Sequence, residues 1–165
     1  MYIDLTGKTA VITGGNIGIG KAFSQILAGC GVKVVATYFT TEFEPFAEEG
    51  QTIIGIPLDA TDSKQVDAVM AEAAEKLGGK IDILINNAGG LLGRVLTSEM
   101  SDEHFHNVMN VNFSSTFYCT RAVLPYMPDG GRIVNLSSLA AHDGGGNGSV
   151  IYSASKAAVI GFTRG

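Results

Sequence analysis

Residues 8–30 have the sequence KTAVITGGNIGIGKAFSQILAGC, and this stretch decides the fold. It predicts a strand from Lys8 to Thr13, then a glycine-rich turn, then a helix from Ile19 to Cys30 that Gly31 closes. A short apolar strand that runs through a glycine turn into a helix is the first unit of an α/β protein that binds a nucleotide. Such a unit requires further strands and helices to complete its sheet.

Gly14, Gly18 and Gly20 lie directly after the first predicted strand and open the first predicted helix. In a nucleotide-binding turn, one glycine permits the tight turn, one lets a pyrophosphate approach the backbone, and one lets the helix pack close to the sheet. The helix N-terminus then presents free N–H groups to the phosphates. A glycine turn often only joins a strand to a helix, but the strand–turn–helix context favours nucleotide binding here.

Short apolar runs alternate with helical patterns along the remaining sequence. Strands are predicted at 33–37, 52–58, 81–86 and 132–138, and helices at 42–49 (short and weak), from Asp62 onward, at 101–127 and at 150–164. Strands of continuous Val, Ile and Leu that alternate with helices predict a parallel sheet covered on both faces. We therefore expect a doubly wound, three-layer α/β/α domain over residues 1–165, with ligands at the carboxyl ends of the strands.

Composition excludes several classes of partner. The net charge of −5 and the lack of a basic cluster argue against nucleic acid and anionic membranes. No apolar run is long enough to span a bilayer and no signal-peptide pattern is present, so a cytoplasmic location is expected. Cys30 and Cys119 are far apart, which favours buried thiols over a disulfide, and His104 and His106 lack a ligand array, so no metal site is predicted.

A second motif, Tyr152-Ser153-Ala154-Ser155-Lys156, opens the last predicted helix. Tyr152 and Lys156 are four positions apart and share a helix face. A phenol is a poor acid–base group at neutral pH unless a positive charge such as an ammonium or an oxidised nicotinamide ring favours the phenolate. An isolated Tyr/Lys pair is usually a surface contact, but together with the glycine turn it predicts nicotinamide-dependent carbonyl or alcohol chemistry with Tyr152 as general acid–base.

The turn spacing Gly-x3-Gly-x-Gly, the Asn86-Asn87-Ala88-Gly89 motif and the Tyr-x3-Lys motif resemble the short-chain dehydrogenase/reductase family, 3-oxoacyl-[acyl-carrier-protein] reductases included. The resemblance runs along the entire chain and implies a Rossmann-type sheet with NAD or NADP as cofactor. It implies that Asp59 is the acidic residue that bonds the adenine amino group. The cofactor-binding residues that it implies are Gly14, Asn16, Gly18, Ile19, Gly20, Asp59, Ala60, Asn86, Ala88 and Gly89, with Tyr152 and Lys156.

The resemblance also assigns catalytic roles. Ser138 hydrogen-bonds the substrate oxygen, and it is preferred to Ser137 on family register alone. Asn112 holds a water that connects Lys156 to solvent, and Lys156 bonds the nicotinamide ribose. Two loop residues near the expected substrate entrance, Arg94 and His142, are candidates to meet an acidic substrate, although loop charges are usually solvated.

The choice between NAD and NADP is left open by the sequence, with charge favouring NAD. The second strand ends in Thr37-Tyr38-Phe39-Thr40-Thr41, and Tyr38 stands where the family often has Asp. No Lys or Arg occurs between Lys33 and Lys64, and Ile17 occupies a position that is often basic in NADP users. Glu42 and Glu44 would repel a 2′-phosphate, whereas the Thr and Tyr hydroxyls could still accommodate it.

Family members continue with further strands and a loop that covers the substrate, whereas this sequence ends within its last helix at Gly165. We therefore expect either further residues or a fragment that lacks the last C-terminal strands. The leading hypothesis is an oxidoreductase for a secondary alcohol or ketone, and the alternative is a catalytically impaired fragment or a nucleotide-binding module. The family resemblance also implies a homodimer or homotetramer; sugar derivatives, 3-oxoacyl thioesters and steroid-like alcohols all remain open as substrates.

Overall fold

The computed structural model describes residues 4–41, 43–44, 47–48 and 51–165. The strands in chain order are β1 (Thr9–Ile12), β2 (Lys33–Tyr38), β3 (Ala47–Glu48), β4 (Gln51–Thr52), β5 (Ile54–Pro57), β6 (Ile83–Asn86) and β7 (Arg132–Asn135). The α-helices are α1 (Gly18–Gly29), α2 (Ser63–Lys76), α3 (Asp102–Met109), α4 (Ser115–Val123), α5 (Ala140–Asp143) and α6 (Val150–Arg164). Among the described residues, no helix is long and apolar enough to cross a membrane.

Five of the strands form one sheet in the order β5-β2-β1-β6-β7, with every neighbouring pair parallel. Val11 of β1 lies beside Val35 of β2 and Leu84 of β6. The strand order reverses between β1 and β6, and such a reversal opens a crevice at the carboxyl ends of the strands. This confirms the predicted doubly wound parallel sheet.

Each face of the sheet is covered by a separate apolar core. Val11 points to the face that α2 and α4 cover, where it joins a cluster with Met70 and Cys119. Ala10 and Ile12 point to the opposite face and join Ala28 of α1. Successive residues of the strand thus enter different cores, which is why Ala10, Val11 and Ile12 are all apolar.

The predicted short helix at 42–49 is wrong at the residues that can be compared. Ala47–Glu48 is a strand that pairs with Gln51–Thr52, and Phe43 belongs to no regular element. The Phe43 ring stacks on Tyr38, with centroids 5.4 Å apart, so tertiary packing outweighs the weak helical pattern. Residues 42, 45, 46 and 49 of this prediction lie outside the described residues.

The long helix predicted from Ser101 to Met127 is also interrupted. Ser101 caps it, since its Oγ accepts a 3.1 Å hydrogen bond from the His104 N–H. A π-helical turn at Asn110–Ser114 separates α3 from α4, and Leu124–Tyr126 is a 3₁₀ turn that contains a proline. Single π turns inside helices occur often at functional sites, and this one contains Asn112.

Candidate active site

A cleft of about 780 Å³ lies at the carboxyl ends of the central strands. It is lined by the glycine turn, the segment after β2, the start of the β5–α2 connection, the segment after β6 and one face of α6. The sequence-predicted residues that line it are Gly14, Asn16, Gly18, Ile19, Gly20, Asp59, Ala60, Ala88, Gly89, Tyr152 and Lys156. The cleft therefore brings together two motifs that are more than a hundred residues apart in the chain.

The glycine turn has the backbone that its sequence predicts. Gly14 and Gly18 have φ values of +61° and +52°, a region that favours glycine. Gly20 is required for a different reason: a Cβ there would lie 2.0 Å from the carbonyl oxygen of Gly14. By contrast, a Cβ on Gly18 would enter open space.

The N-terminus of α1 is suited to a diphosphate. Ile17 precedes this helix and carries a hydrocarbon side chain, so it cannot supply the acceptor that Asp62 supplies to α2 and Ser101 to α3. Among the described residues, no side chain caps this helix, and its first residues Gly18, Ile19 and Gly20 line the cleft. This arrangement fits the phosphates of a dinucleotide.

Two polar side chains tie the glycine turn to the segment after β6. Thr13 Oγ1 accepts 3.0 Å hydrogen bonds from the N–H groups of Asn87 and Ala88. Asn87 Nδ2 donates to the carbonyl oxygens of Thr13 and Gly14, at 2.9 and 3.1 Å. Asn87 was not among the predicted site residues, and its place within the Asn86–Gly89 motif was the only signal for it.

Asn86, by contrast, is among the predicted cofactor-binding residues but not among the described residues that line the cleft. Its Nδ2 donates to Thr120 Oγ1 at 3.0 Å and to Asn135 Oδ1 at 2.8 Å. Its Oδ1 is buried and has no partner in the described part of the chain. Asn86 therefore joins β6 to β7 and α4, and its contact with a cofactor stays a prediction.

Asp59 lies on the cleft wall at the end of β5 together with Ala60. Its Oδ1 accepts hydrogen bonds from the Thr61 N–H at 2.9 Å and from Thr61 Oγ1 at 2.7 Å. Both bonds engage the same oxygen and leave Oδ2 able to accept an exocyclic amine. The geometry is compatible with the adenine contact that the family resemblance implies.

Lys156 and Tyr152 stand one turn apart on α6. Lys156 is only 6% exposed, and its Nζ donates a 3.0 Å hydrogen bond to the carbonyl oxygen of Leu136. The same Nζ lies 5.9 Å from the centroid of the half-buried Tyr152 ring. Burial lowers the pKa of the Lys156 ammonium. The pair thus places one cationic group and one phenol in the wall of the same cleft.

The two serines after β7 make different hydrogen bonds. Ser137 Oγ donates to the carbonyl oxygen of Lys156 at 2.8 Å, whereas Ser138 Oγ accepts from the Ala140 N–H at 3.2 Å. Ser137 lines the cleft and Ser138 does not. The proton of Ser137 is already committed, while that of Ser138 remains available to a substrate oxygen.

Asn112 is fully buried in the π turn and does not line the cleft. Its Nδ2 donates to the carbonyl oxygens of Gly90 and Val108, at 2.8 and 2.9 Å, and its Oδ1 accepts from the Gly90 N–H at 3.0 Å. The side chain thereby fixes the segment after β6, since a Cβ on Gly89 would come within 2.8 Å of Asn112 Oδ1. The water relay that the resemblance assigns to Asn112 stays a prediction.

The structure does not favour Arg94 as a ligand for an acidic substrate. Its guanidinium donates to the carbonyl oxygens of Gly145 and Asn147, at 3.1 and 2.9 Å, and to Ser149 Oγ. His142 is exposed on the short helix α5. Neither residue lines the cleft, and Arg94 Nη1 already bonds the chain itself, so contact of either residue with a substrate stays a prediction.

Comparison with known proteins finds similarity over nearly the whole chain. A family model described as short chain dehydrogenase matches residues 8–165. The chain is 37% identical over 167 residues to the oxidoreductase UcpA of Salmonella typhimurium, covering 97% of this chain and 62% of that protein. It is 36% identical to the 3-oxoacyl-[acyl-carrier-protein] reductase FabG of Vibrio cholerae, covering 98% and 67%. The chain thus spans less than two thirds of the length of UcpA.

Solved structures with the same fold include one complex with NAD and one complex with NADP. The NADH-dependent reductase A1-R′ in complex with NAD superposes with a TM-score of 0.91 at 30% identity, covering 99% of this chain and 73% of that one. A short chain dehydrogenase from Burkholderia cenocepacia in complex with NADP gives a TM-score of 0.88 at 32% identity, covering 97% and 67%. The fold is therefore the one that these dinucleotide-binding proteins share.

Proposed function

This chain belongs to the short-chain dehydrogenase family, and on that premise we propose that the protein is an NAD(P)(H)-dependent oxidoreductase that interconverts a secondary alcohol and a ketone. The observation that carries the proposal is the position of Tyr152 and the buried Lys156 in the same cleft as the uncapped N-terminus of α1. A dinucleotide that reaches from α1 to α6 would span this cleft. The similarity to UcpA and FabG supports the same class of reaction.

The residues that would hold the cofactor follow the cleft from one end to the other. The N–H groups at the start of α1 would bind the pyrophosphate, next to the open wall at Gly18. Asp59 would accept from the adenine amine, and Lys156 would bond the nicotinamide ribose. When bound, the nicotinamide supplies or accepts the hydride.

Residues of this chain carry out the proton transfer. In reduction, the Tyr152 phenol donates its proton to the carbonyl oxygen, and in oxidation the phenolate accepts the alcohol proton. The Lys156 ammonium stabilises the negative charge that develops on the phenol oxygen, and Ser138 Oγ donates to the substrate oxygen. General acid–base catalysis of this kind contributes about 10²- to 10⁴-fold in rate.

NAD is the proposed cofactor, with NADP as the alternative. Among the described residues that line the cleft, the only basic side chain is that of Lys156, which the proposal assigns to the nicotinamide ribose. The cleft wall after β2 consists of Tyr38, Phe39, Thr40 and Thr41, none of which is charged. A 2′-phosphate would find hydroxyl donors there and no positive charge, which favours the cofactor that lacks it.

We further propose a cytoplasmic homo-oligomer, either a dimer or a tetramer. Large apolar side chains are exposed on α3, on α4 and directly after α4, namely Phe105, Phe117 and Leu124. Exposed apolar groups of this size commonly mark a surface that a second chain covers. The modest net charge of −5 leaves such an association little electrostatic repulsion.

Replacing Tyr152 with Phe tests the function directly. The variant should keep NADH affinity, measured by NADH fluorescence, and lose about 10²-fold or more of its turnover across a panel of ketones and secondary alcohols. Tyr126→Phe is the matched control, since the backbone of Tyr126 bonds Ile81 at the amino-terminal end of β6. NADH binding without turnover in the parent protein would favour the nucleotide-binding module, and unchanged turnover in Tyr152→Phe would exclude the proposed acid–base role.

A further inference from the structure

Arg94 ties together two loops that flank the candidate active site. We propose that Arg94 is a positioning residue, which fixes the glycine-rich loop 144–149 and thereby the first turn of α6 and the phenol of Tyr152. The proposal deepens the proposed function and rests on it for the role of Tyr152. It concerns a residue outside the cleft lining, so its effect has to pass through the loop.

Loop 144–149 has unusual conformational freedom. Four of its six residues are glycines, and Gly144, Gly145, Gly146 and Gly148 all have positive φ, between +66° and +82°. Glycine loses more backbone entropy on ordering than any other residue. A loop of this composition needs specific contacts to hold one conformation.

Arg94 donates three hydrogen bonds to the loop from a distant segment of the chain. Its Nη1 lies 3.1 Å from the Gly145 oxygen, 2.9 Å from the Asn147 oxygen and 2.5 Å from Ser149 Oγ. Bonds from a charged donor are about twice as strong as neutral ones, so this group is well suited to collect several acceptors. One cation thus reaches three residues of a loop that is more than fifty positions away.

The backbone beside Arg94 packs equally closely on the loop. The Val95 N–H donates to the Gly148 oxygen at 3.0 Å. A Cβ on Gly148 would lie 2.9 Å from both Arg94 Cβ and the Val95 nitrogen. Gly148 is buried although it belongs to a surface loop, so the segment around Arg94 and the loop form one interlocked unit.

Ser149 connects this unit to α6. Its side chain is almost wholly buried, with 2% exposure, and its Oγ also donates to the Gly145 oxygen at 3.1 Å. The Ser149 carbonyl accepts the first hydrogen bond of α6, from the Ser153 N–H at 2.8 Å, and a second from Ser153 Oγ at 2.9 Å. Tyr152 lies within that first turn, so a shift of Ser149 displaces it.

Lys156 is held by a different set of contacts. Its Nζ bonds Leu136, and its carbonyl oxygen accepts from Ser137 Oγ. The glycine turn is held by Thr13 and Asn87. Loss of the Arg94 contacts should therefore disturb Tyr152 while the cofactor-binding part of the cleft keeps its shape. This separation predicts a fall in kcat without a fall in NADH affinity.

The experiment compares Arg94→Met, which keeps the stem and removes every donor, with Arg94→Lys, which keeps a charge and donors. Arg132→Met is the matched control, because Arg132 Nη1 likewise donates to two glycine carbonyls, those of Gly130 and Gly131, at the other end of the sheet. Arg94→Met should lower kcat by about 10- to 100-fold, since a misplacement near 1 Å can cost that much. Arg94→Lys should recover part of the loss, and Arg132→Met should match the parent.

Hydrogen exchange measures how firmly Arg94 holds the loop 144–149, and it requires no turnover. Arg94→Met should increase exchange at residues 145–153 and leave β1 and β2 protected as in the parent. Unchanged exchange over 145–153 would overturn the proposal, as would unchanged kcat in an active protein. A higher KM for acidic substrates alone, with kcat intact, would instead identify Arg94 as a substrate ligand and also overturn it. If exchange shows that Arg94 holds the loop 144–149 but the parent protein has no turnover, the result would count against the proposed function.

Discussion

Ser137 Oγ donates a 2.8 Å hydrogen bond to the carbonyl oxygen of Lys156, which ties the segment after β7 to the middle of α6. This bond gives Ser137 a structural task and uses its only proton. The neighbouring Ser138 accepts from the Ala140 N–H and keeps its proton. The two serines thus differ in their hydrogen bonds, whereas the sequence alone distinguishes them only by family register.

The first prediction concerns these two serines. Ser138→Ala should lower kcat/KM by about 10²-fold, the usual effect of losing one donor to a developing oxyanion, and should lower the free energy of unfolding by no more than about 1 kcal/mol through loss of the bond from the Ala140 N–H. Ser137→Ala should lower the free energy of unfolding by about 1 kcal/mol through loss of its hydrogen bond. Steady-state kinetics and urea unfolding of both variants measure the two effects, and the reverse assignment would show that Ser137 serves the substrate.

The second prediction concerns the pH dependence of stability at Lys156. Burial lowers the pKa of this ammonium below its ordinary 10.5, so the unfolded chain binds the proton more tightly than the folded chain. Stability rises with pH wherever the unfolded state binds more protons. The cost of the buried charge is therefore fully present below the folded pKa and is relieved as pH rises from there to 10.5.

Lys156→Met keeps an unbranched side chain and removes the charge. The free energy of unfolding of the parent minus that of this variant should increase from neutral pH toward 10.5. Urea unfolding at several pH values measures this difference, and Lys64→Met is the control because Lys64 is exposed on α2. A difference that stays flat for Lys156→Met would mean that burial does not hold the lysine pKa down.

The third prediction distinguishes the glycines of the turn. Gly20→Ala places a Cβ 2.0 Å from the Gly14 oxygen and should cost about 3 kcal/mol or more, at the upper end of overpacking. Gly18→Ala meets open space but has a φ of +52°, and should cost only about 1–2 kcal/mol. Because Gly18 faces the cleft, its alanine variant should nevertheless lose about tenfold or more in NADH affinity.

Gly161→Ala provides the control for both glycine variants. Gly161 lies in α6, has no neighbour within contact of an added Cβ and has no positive φ. Alanine should therefore raise stability there by about 0.4–1 kcal/mol. Thermal unfolding with and without NADH measures all three variants. Equal losses of stability and of NADH affinity in the Gly18 and Gly20 variants would contradict the separate roles assigned to these glycines.

Much of the fold could be predicted because the signals are local. Continuous apolar strands, the glycine turn at Gly14 to Gly20 and the cap at Asp62 each follow from a few neighbouring residues. The helix predicted at 42–49 failed because the packing of Phe43 against Tyr38, from the end of a different element, decides that segment. The π turn at Asn112 likewise depends on hydrogen bonds to Gly90, more than twenty positions away.

In the candidate site, too, the local patterns could be predicted from the sequence and the long-range contacts could not. The Tyr152 and Lys156 pair was visible as a helix spacing, and the structure places both in the cleft with the glycine turn. The roles of Asn87 and Arg94 were not visible, since their partners, Gly14 and the loop 144–149, are distant in sequence. Long-range hydrogen bonds leave no periodic trace in a sequence, which is why the contacts of these two residues emerged only from the structure.

The last prediction concerns cofactor choice. The parent should bind NADH more tightly than NADPH, because the cleft wall from Tyr38 to Thr41 carries no charge to meet a 2′-phosphate. Thr40 is exposed on that wall, so Thr40→Arg adds a guanidinium that can form paired hydrogen bonds with the phosphate. We expect about a tenfold gain in NADPH affinity, close to 1.4 kcal/mol, with little change for NADH.

Thr40→Gln controls for side-chain length, and the gain in NADPH affinity should shrink at high salt because an exposed ion pair is screened. Tighter binding of NADPH than NADH by the parent, measured by fluorescence titration, would show that hydroxyl donors suffice and would reverse the preference proposed from charge.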